Sequence, residues 1–504
     1  MTTTDSVGAA NKLRRGHLSL SDVIAQSVSV IAPAMSGGFL TYLAATKAGG
    51  ATPLAYVLAA IGALFLGRVV SEFSKSMSSA GSLYTYVANG WNNTAGFVLG
   101  WVYTIALTIL GAAVLAGFGF FASSFLQSVT NSSKAVPWWV FFLLSLAFVA
   151  VMSLFNIRIS TRAQLVLAAL SVVVMVIAAI VAISDGGPSG KSVDFAAFWP
   201  SSAGVPWSGI GLGFAFGILS FTGFEAGAVL AEETSNPKHN IPRAIVGSVL
   251  VAAVFYILVT YATSIGFGVK EAAAAWPTSA AGLVAVLSKH KGLSDLVLLA
   301  VAASSLICGL GISTVTSRFL YAMGREKVLP AALGKTNAKW KTPWNAIFVY
   351  IGVSIVLIFG LLALTSKGTQ IALGGGASPE GVPNFAPELR GGLYVFGEWA
   401  TLATPMVMFS YLLLGISAIL KGSREKLSGL MTSGILAALV GLVAVFGSLY
   451  YSFVEGAPGA GVPYAWKAIP WVCFAIVVAG VAIAGYLKSK KPAAWADMGA
   501  VFDE

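Results

Sequence analysis

The sequence predicts an all-α membrane protein of twelve transmembrane helices, and three observations carry that reading. First, hydrophobic residues make up 57% of the 504 and charged residues only 10%. Soluble domains carry about 25% charged residues, so there is too little charge here to cover a water-facing surface. Second, apolar runs such as 292–312 and 430–449 continue without two-residue alternation. Lipid offers the backbone no hydrogen-bond partner, so a spanning segment must be a helix or part of a closed barrel, and unalternating runs of this length are helices. Third, lysines and arginines fall unevenly between the connecting segments once the spans are drawn.

The spans fall at 19–46, 51–74, 91–126, 137–155, 161–184, 206–232, 242–268, 292–323, 343–365, 391–420, 429–453 and 467–487. Turn-forming clusters separate them, among them Asp185-Gly-Gly-Pro-Ser-Gly-Lys191 and Gly374-Gly-Gly-Ala-Ser-Pro379. An even number of spans puts both termini on one side. With that side cytoplasmic, 21 of the 30 Lys and Arg lie inside and 9 outside, as the positive-inside rule requires. The same asymmetry accounts for the net charge of +11 without a polyanionic partner. The expectation is a multi-pass protein of the cell membrane, embedded in lipid, with both termini cytoplasmic and no nucleic-acid partner. The stretch from Val23 lacks a signal-peptidase site and reads as the first span. The longest exterior loop is expected at 366–390, and the short tail after Lys491 is expected to be disordered.

The residues also exclude several functions. Cys308 and Cys473 sit inside apolar runs as small hydrophobes, and His17, His239 and His290 are scattered singly at span edges, without metal-ligand spacing. Asp185–Ser192 imitates a phosphate loop, but Asp185 stands where the first glycine is required and no strand precedes it. There is no nucleophile elbow or metal-hydrolase helix. The chain is expected to be neither an enzyme nor the holder of a cofactor or resident metal.

Two spans are interrupted. Span 1 contains Ile31-Ala-Pro-Ala-Met-Ser-Gly-Gly-Phe39. Pro33 removes a backbone donor and clashes with the preceding turn, while Gly37 and Gly38 allow non-helical torsions and close approach. Span 6 contains Ser220-Phe-Thr-Gly-Phe-Glu-Ala-Gly227. Its glycine pairs Gly213/Gly217 and Gly223/Gly227 suit tight helix packing. Packing does not explain Glu225, a carboxylate in an apolar run that costs up to about 2.5–3.5 kcal/mol on insertion scales. Two readings stand for it: a group that takes part in coupling or gating, or a buried hydrogen-bonder that holds the helix break open. Short or Gly/Pro-interrupted segments at matching positions are the sequence pointer to a transporter's binding site. Glu398, beside Trp399 near the outer end of span 10, is the second unexplained carboxylate; it reads as a gate or loop contact, or as a lure for an amine.

The residues around the second break resemble a known family. Gly223-Phe-Glu-x-x-Ala228 followed by Ala231-Glu-Glu-Thr-Ser-Asn-Pro-Lys-His-Asn-Ile-Pro-Arg-Ala-Ile245 is similar to the sixth helix and following loop of amino acid permeases, in the amino acid–polyamine–organocation (APC) superfamily. Phe73-Ser-Lys-Ser-Met-Ser-Ser-Ala-Gly-Ser-Leu-Tyr-Thr-Tyr86, Ser317-Arg-Phe-Leu-Tyr-Ala-Met-Gly-Arg-Glu-Lys-Val-Leu-Pro330 and Lys341-Thr-Pro343 resemble the approach to the third helix, the end of the eighth and the start of the ninth.

The resemblance implies a five-plus-five inverted-repeat transporter core with broken helices 1 and 6. The expected organisation is an N-terminal tail at 1–18, the ten-helix core at 19–420, two additional helices at 421–488 and a tail at 489–504. It also implies that Ala34, Met35, Ser36, Gly37 and Gly38 offer amides to a substrate carboxylate, while carbonyls of Phe221, Thr222 and Gly223 receive its ammonium group. Phe224 would be an aromatic lid and Tyr103 a polar wall, though membrane packing explains an aromatic at Tyr103 equally well. Some relatives carry a lysine on the fifth helix in place of a coupling ion; Ser171 stands there instead. A candidate sodium site would join the carbonyls of Ile31 and Ala32 to the hydroxyls of Ser313 and Thr314, against which stand proton coupling through Glu225 and exchange without an ion. The function expected is alternating-access transport of an amino acid or related amine. Alternatives are a polyamine or other organocation exchanger and a non-transporting nutrient sensor, the latter disfavoured by the short tails.

Overall fold

The computed structural model describes residues 13–155, 157–276, 279, 281–360, 387–450 and 463–499. Helix occupies the middle of each of the twelve apolar stretches, and no strand occurs among the described residues. Among the described residues nine apolar helical runs are long enough to cross a bilayer, the first of which, Leu20–Ser76, takes in spans 1 and 2. Two shorter apolar helices, Trp138–Leu154 and Trp344–Phe359, occupy spans 4 and 9. The expected Gly-rich loop at 366–390 falls largely outside the described residues.

The main elements are α1 (Leu20–Ile31), α2 (Thr41–Ala48), α3 (Thr52–Ser76), α4 (Leu83–Gly90), α5 (Asn93–Thr130), α6 (Trp138–Leu154), α7 (Ile157–Asp185), α8 (Trp207–Phe221), α9 (Pro237–Phe267), α10 (Lys291–Arg325), α11 (Trp344–Ile355), α12 (Pro387–Arg424), α13 (Ser428–Tyr450), α14 (Pro463–Lys490) and α15 (Pro492–Ala496). A capping box opens α1. Ser19 N donates to Asp22 Oδ2 at 2.9 Å, and Asp22 N donates back to Ser19 Oγ, meeting two of the donors that a helix start leaves free. The spans differ in burial: α5 and α10 are buried along most of their length. By contrast α7, α9, α13 and α14 present apolar side chains outward, including Leu170, Val254, Phe446 and Trp471. Large apolar side chains exposed in such numbers fit a lipid surround and not water.

Both expected breaks are present, and each has an identifiable backbone cause. α1 ends at Ala32, which takes left-handed torsions (φ 47°, ψ 63°) just before Pro33. A short turn Pro33–Met35 and a wide π-turn Ser36–Leu40 then lead into α2. Gly37 and Gly38 serve close approach here: an added Cβ would come within 2.9 Å of Phe255 and 2.6 Å of Val301 respectively. α8 ends at Phe221, Gly223 sits at φ 107°, and a ten-residue 3₁₀ helix runs from Phe224 to Glu233. Runs of 3₁₀ longer than a few residues are uncommon and mark strain or a hinge. The glycine pair Gly213/Gly217 does pack helices, against Ala48 of α2 and Ala55 and Ala59 of α3.

One expectation is corrected. Far from being disordered, the described residues after Lys491 form α15 and a turn, with Trp495 and Met498 buried. The reason is packing that sequence alone does not display: Trp495 meets Phe97 of α5, with ring centroids 6.2 Å apart.

Candidate functional site

The two breaks touch. A Cβ at Gly223 would lie 2.4 Å from Val30 Cγ1 and 2.8 Å from Ile31 N, so the second break rests directly on the end of α1. Glycine is required there twice over, by its φ and by this contact.

Around this junction the unpaired backbone groups are held by side chains from neighbouring helices. The Tyr256 hydroxyl of α9 lies 2.8 Å from Ser220 O and 3.1 Å from Ile31 O. Its single proton therefore serves one carbonyl of each break in turn. Tyr56 of α3 reaches Ser220 Oγ at 2.7 Å. Ser27 Oγ donates to Phe224 O at 2.9 Å and accepts from Gly227 N at 3.1 Å. Cys308 Sγ of α10 donates to Val30 O at 3.2 Å, and Ser36 Oγ donates to Ile31 O at 2.9 Å.

Glu225 is 1% exposed. Its Oε1 accepts from the hydroxyls of Tyr103 on α5 and Tyr411 on α12, the latter at 2.9 Å. Its Oε2 accepts from Gly223 N at 3.2 Å, within its own break. An ionised carboxylate is acceptor-only, so these three donors suit it fully. In this geometry Glu225 braces the break and links it to two other helices. Tyr103 is brought to the site. Phe224 packs on the Tyr411 ring at 5.6 Å and Phe221 on Tyr256 at 5.1 Å. The Thr222 hydroxyl is buried with no hydrogen-bond partner. Ala34, Met35, Ser36, Gly37 and Gly38 are all buried beside this junction.

Each of the four sodium candidates has a hydrogen-bond partner within the protein. Ile31 O is met by Ser36 Oγ and Tyr256, and Ala32 O accepts from Ser36 N at 2.9 Å. Ser313 Oγ lies 3.1 Å from Ser153 Oγ of α6, and Thr314 Oγ1 donates to Leu310 O. Contact between α10 and α1 runs instead through Cys308 and through Gln26 Nε2, which donates to Gly311 O at 2.9 Å. Glu398 is not part of the junction. It lies on α12 thirteen positions before Tyr411, about 20 Å along a helix axis. Among the described residues no group of His, Cys, Asp and Glu could hold a metal ion.

A second constellation lies at the end of the bundle where α1 begins and α10 finishes, here called the basic end. Arg318 donates through Nε and Nη2 to Glu233 Oε2 at 2.8 and 2.6 Å, and both side chains are 3% exposed. Arg325 grips Glu232 with two parallel bonds of 2.9 and 2.8 Å, and Glu232 Oε1 also accepts from Ala80 N at 2.9 Å. The backbone of Glu233 in turn accepts from His17 N and Leu18 N. These pairs bolt the end of the 3₁₀ segment to α10. Neither pair is among the site residues expected from the sequence. Their signal is in the sequence: two adjacent acids where span 6 ends, and two arginines seven residues, or two helical turns, apart in the last part of α10. Beyond α10, burial pushes the Glu326 carboxyl above the ordinary carboxylate range, and hydrogen bonds from Tyr84 and Gly499 pull it back.

A helical membrane bundle with two broken helices meeting at an enclosed polar centre defines a transporter of small molecules. The chain belongs to the amino acid permease family, whose model matches residues 18–482. The branched-chain amino acid permease BcaP of Lactococcus lactis subsp. cremoris is 29% identical over 72% of this chain and 81% of its own. The low-affinity putrescine importer PlaP of Escherichia coli K12 is 27% identical over 63% of this chain and 69% of its own. In fold the chain is similar to the manganese transporter of Eremococcus coleocola, with a TM-score of 0.56 at 12% identity, covering 92% of this chain and 93% of that one.

Proposed function

We propose that this permease carries an amino acid or related amine across the cell membrane by alternating access, with the basic end cytoplasmic. The observation that carries the reading is the contact of Gly223 on Val30 and Ile31, which places both helix breaks at one point. Half-helix N-termini favour an anion and half-helix C-termini a cation, so a zwitterion suits the junction, with the unpartnered Thr222 hydroxyl beside it. Tyr256 holds a carbonyl from each break and is the group to be displaced or shared when the breaks separate. The Arg318–Glu233 and Arg325–Glu232 pairs close the cytoplasmic side in this conformation. Opening inward requires them to part.

The kinship with both a branched-chain amino acid permease and a putrescine importer sets the ligand panel. Purified protein is screened by thermal shift against amino acids, polyamines and nucleobases, with and without sodium. A ligand at 100 times its Kd stabilises by about 2.7 kcal/mol, which reads as a clear upward shift in Tm for an aliphatic amino acid. Stabilisation by a compound with no amine, and by no amine-bearing compound, overturns the substrate class. Sodium dependence of the shift separates an ion site from proton coupling or simple exchange.

Glu225→Gln tests the proton-coupling candidate. The amide supplies an NH₂ where three donors already point, so at least one is left unmet, at about 1–3 kcal/mol. The expected result is a protein that still folds, with uptake into proteoliposomes abolished or no longer pH-dependent. Unchanged uptake and unchanged pH dependence would remove Glu225 from the mechanism.

A further inference from the structure

The segment following α14 lies beyond residue 482, where the family match stops, yet it is built into the basic end. Lys491 Nζ donates to Lys327 O at 3.2 Å, just past α10. Asn93 Nδ2, in the first turn of α5, donates to Trp495 O at 2.6 Å. Asn89 Nδ2 of α4 donates to Gly499 O at 2.8 Å. Gly499 N donates to Glu326 Oε2 at 3.1 Å, and the same oxygen accepts from Tyr84 of α4 at 2.5 Å. Trp495 and Met498 are 9% and 5% exposed, so the segment is anchored by burial as well as by hydrogen bonds.

What these contacts join is specific. One set of partners belongs to α4 and the start of α5, and the other to the end of α10. Glu232 is received by those same two regions: Ala80 N, shortly before α4, and Arg325, the residue next to Glu326. We infer that residues 491–499 act as a latch that positions Arg325 and the Ala80 amide to receive Glu232, and so hold the cytoplasmic gate shut. Trp495, Asn89 and Glu326 are then positioning residues for a gate they do not themselves form. The segment touches neither helix break, so its effect is on the balance between gate-closed and gate-open states and not on the ligand.

This inference rests on the alternating-access reading for its purpose, but its test needs no substrate. Cys308, buried at the first break with its thiol on Val30 O, is a native reporter of access to the centre. In a Cys473→Ala background, Cys308 is labelled with a membrane-impermeant maleimide, from the cytoplasmic face in inside-out vesicles and from the opposite face in right-side-out vesicles. Three proteins are compared with the parent: a truncation after Lys491, full-length Trp495→Ala with Asn89→Ala, and Glu232→Gln as the direct gate lesion. Coupling between sites of this kind is worth about 5–150-fold, so all three variants are expected to label at least about fivefold faster from the cytoplasmic face. Labelling from the opposite face should stay level or fall. Unchanged cytoplasmic labelling in the truncation and in the double variant overturns the latch, and so does an equal rise on both faces, which would report a loosened fold. A failed ligand screen with asymmetric labelling would refute the substrate reading and leave the latch standing.

Discussion

Arg318→Ala is expected to cost about 3–5 kcal/mol of stability, because it leaves Glu233 buried, charged and without its partner. Both side chains are 3% exposed, so solvent cannot screen the orphaned carboxylate. The double variant Arg318→Met with Glu233→Leu should recover most of that loss, since replacing a buried pair by apolar groups of similar volume is often neutral or stabilising. Stability and function are then expected to diverge. The double variant should melt near the parent temperature, yet label Cys308 faster from the basic end, because one of the two bolts between the 3₁₀ segment and α10 is gone. Thermal denaturation of the three proteins in one detergent, followed by the labelling assay, checks both halves. If the double variant melts as low as Arg318→Ala, apolar packing has not replaced the pair and the site's charge is needed for folding. If it is stable and still closed, the pair is no gate.

The second large effect is expected at Gly223. Its φ of 107° is closed to residues with a side chain, and a Cβ would collide with Val30 and with the backbone at Ile31. Gly223→Val should therefore push the two breaks apart, at a cost of several kcal/mol beyond about 1–3 kcal/mol for the backbone strain. Gly223→Ala is the milder variant that keeps the experiment readable if valine prevents folding. For alanine the expected outcome is a folded protein of lower Tm that no longer shows ligand-induced stabilisation. A glycine-to-alanine change at the exposed Gly211, where nothing lies within 4 Å of the added atom, is the matched control: it should not lower Tm, since alanine favours the helix, and should leave ligand-induced stabilisation unchanged. Retained ligand stabilisation in Gly223→Ala would mean that the break junction is not where ligand binds.

Much of this was legible in the chain because it follows from local chemistry. The spans could be drawn because a helix in lipid needs a long apolar run, and such runs are contiguous in sequence. Both breaks could be located for the same reason: Pro33 and Gly223 act on the backbone at their own positions. The buried charge of Glu225 was conspicuous because a carboxylate is rare in an apolar run. What the chain did not show was which groups meet. Tyr411 lies 186 residues from Glu225, and nothing local distinguishes it from any other tyrosine in a membrane helix. Tyr256, Ser27 and Tyr56 carry no local signal on the same ground, and the pairing of Arg318 with Glu233, 85 residues apart, is not written in either segment alone. Trp495 misled because a short polar-flanked segment looks disordered until a partner surface is seen.

The sequence by itself thus determined that this protein is a helical membrane bundle, where two of its helices break and which carboxylate needs a partner, since each of these depends on residues near one another in the chain. Only the tertiary structure decided that the two breaks touch at Gly223, that Tyr103 and Tyr411 converge on Glu225, and that the segment after α14 closes over the end of α10. Hydrogen-bond partners and close-packed contacts are set by how helices far apart in sequence are brought side by side, and that information is distributed over the whole bundle.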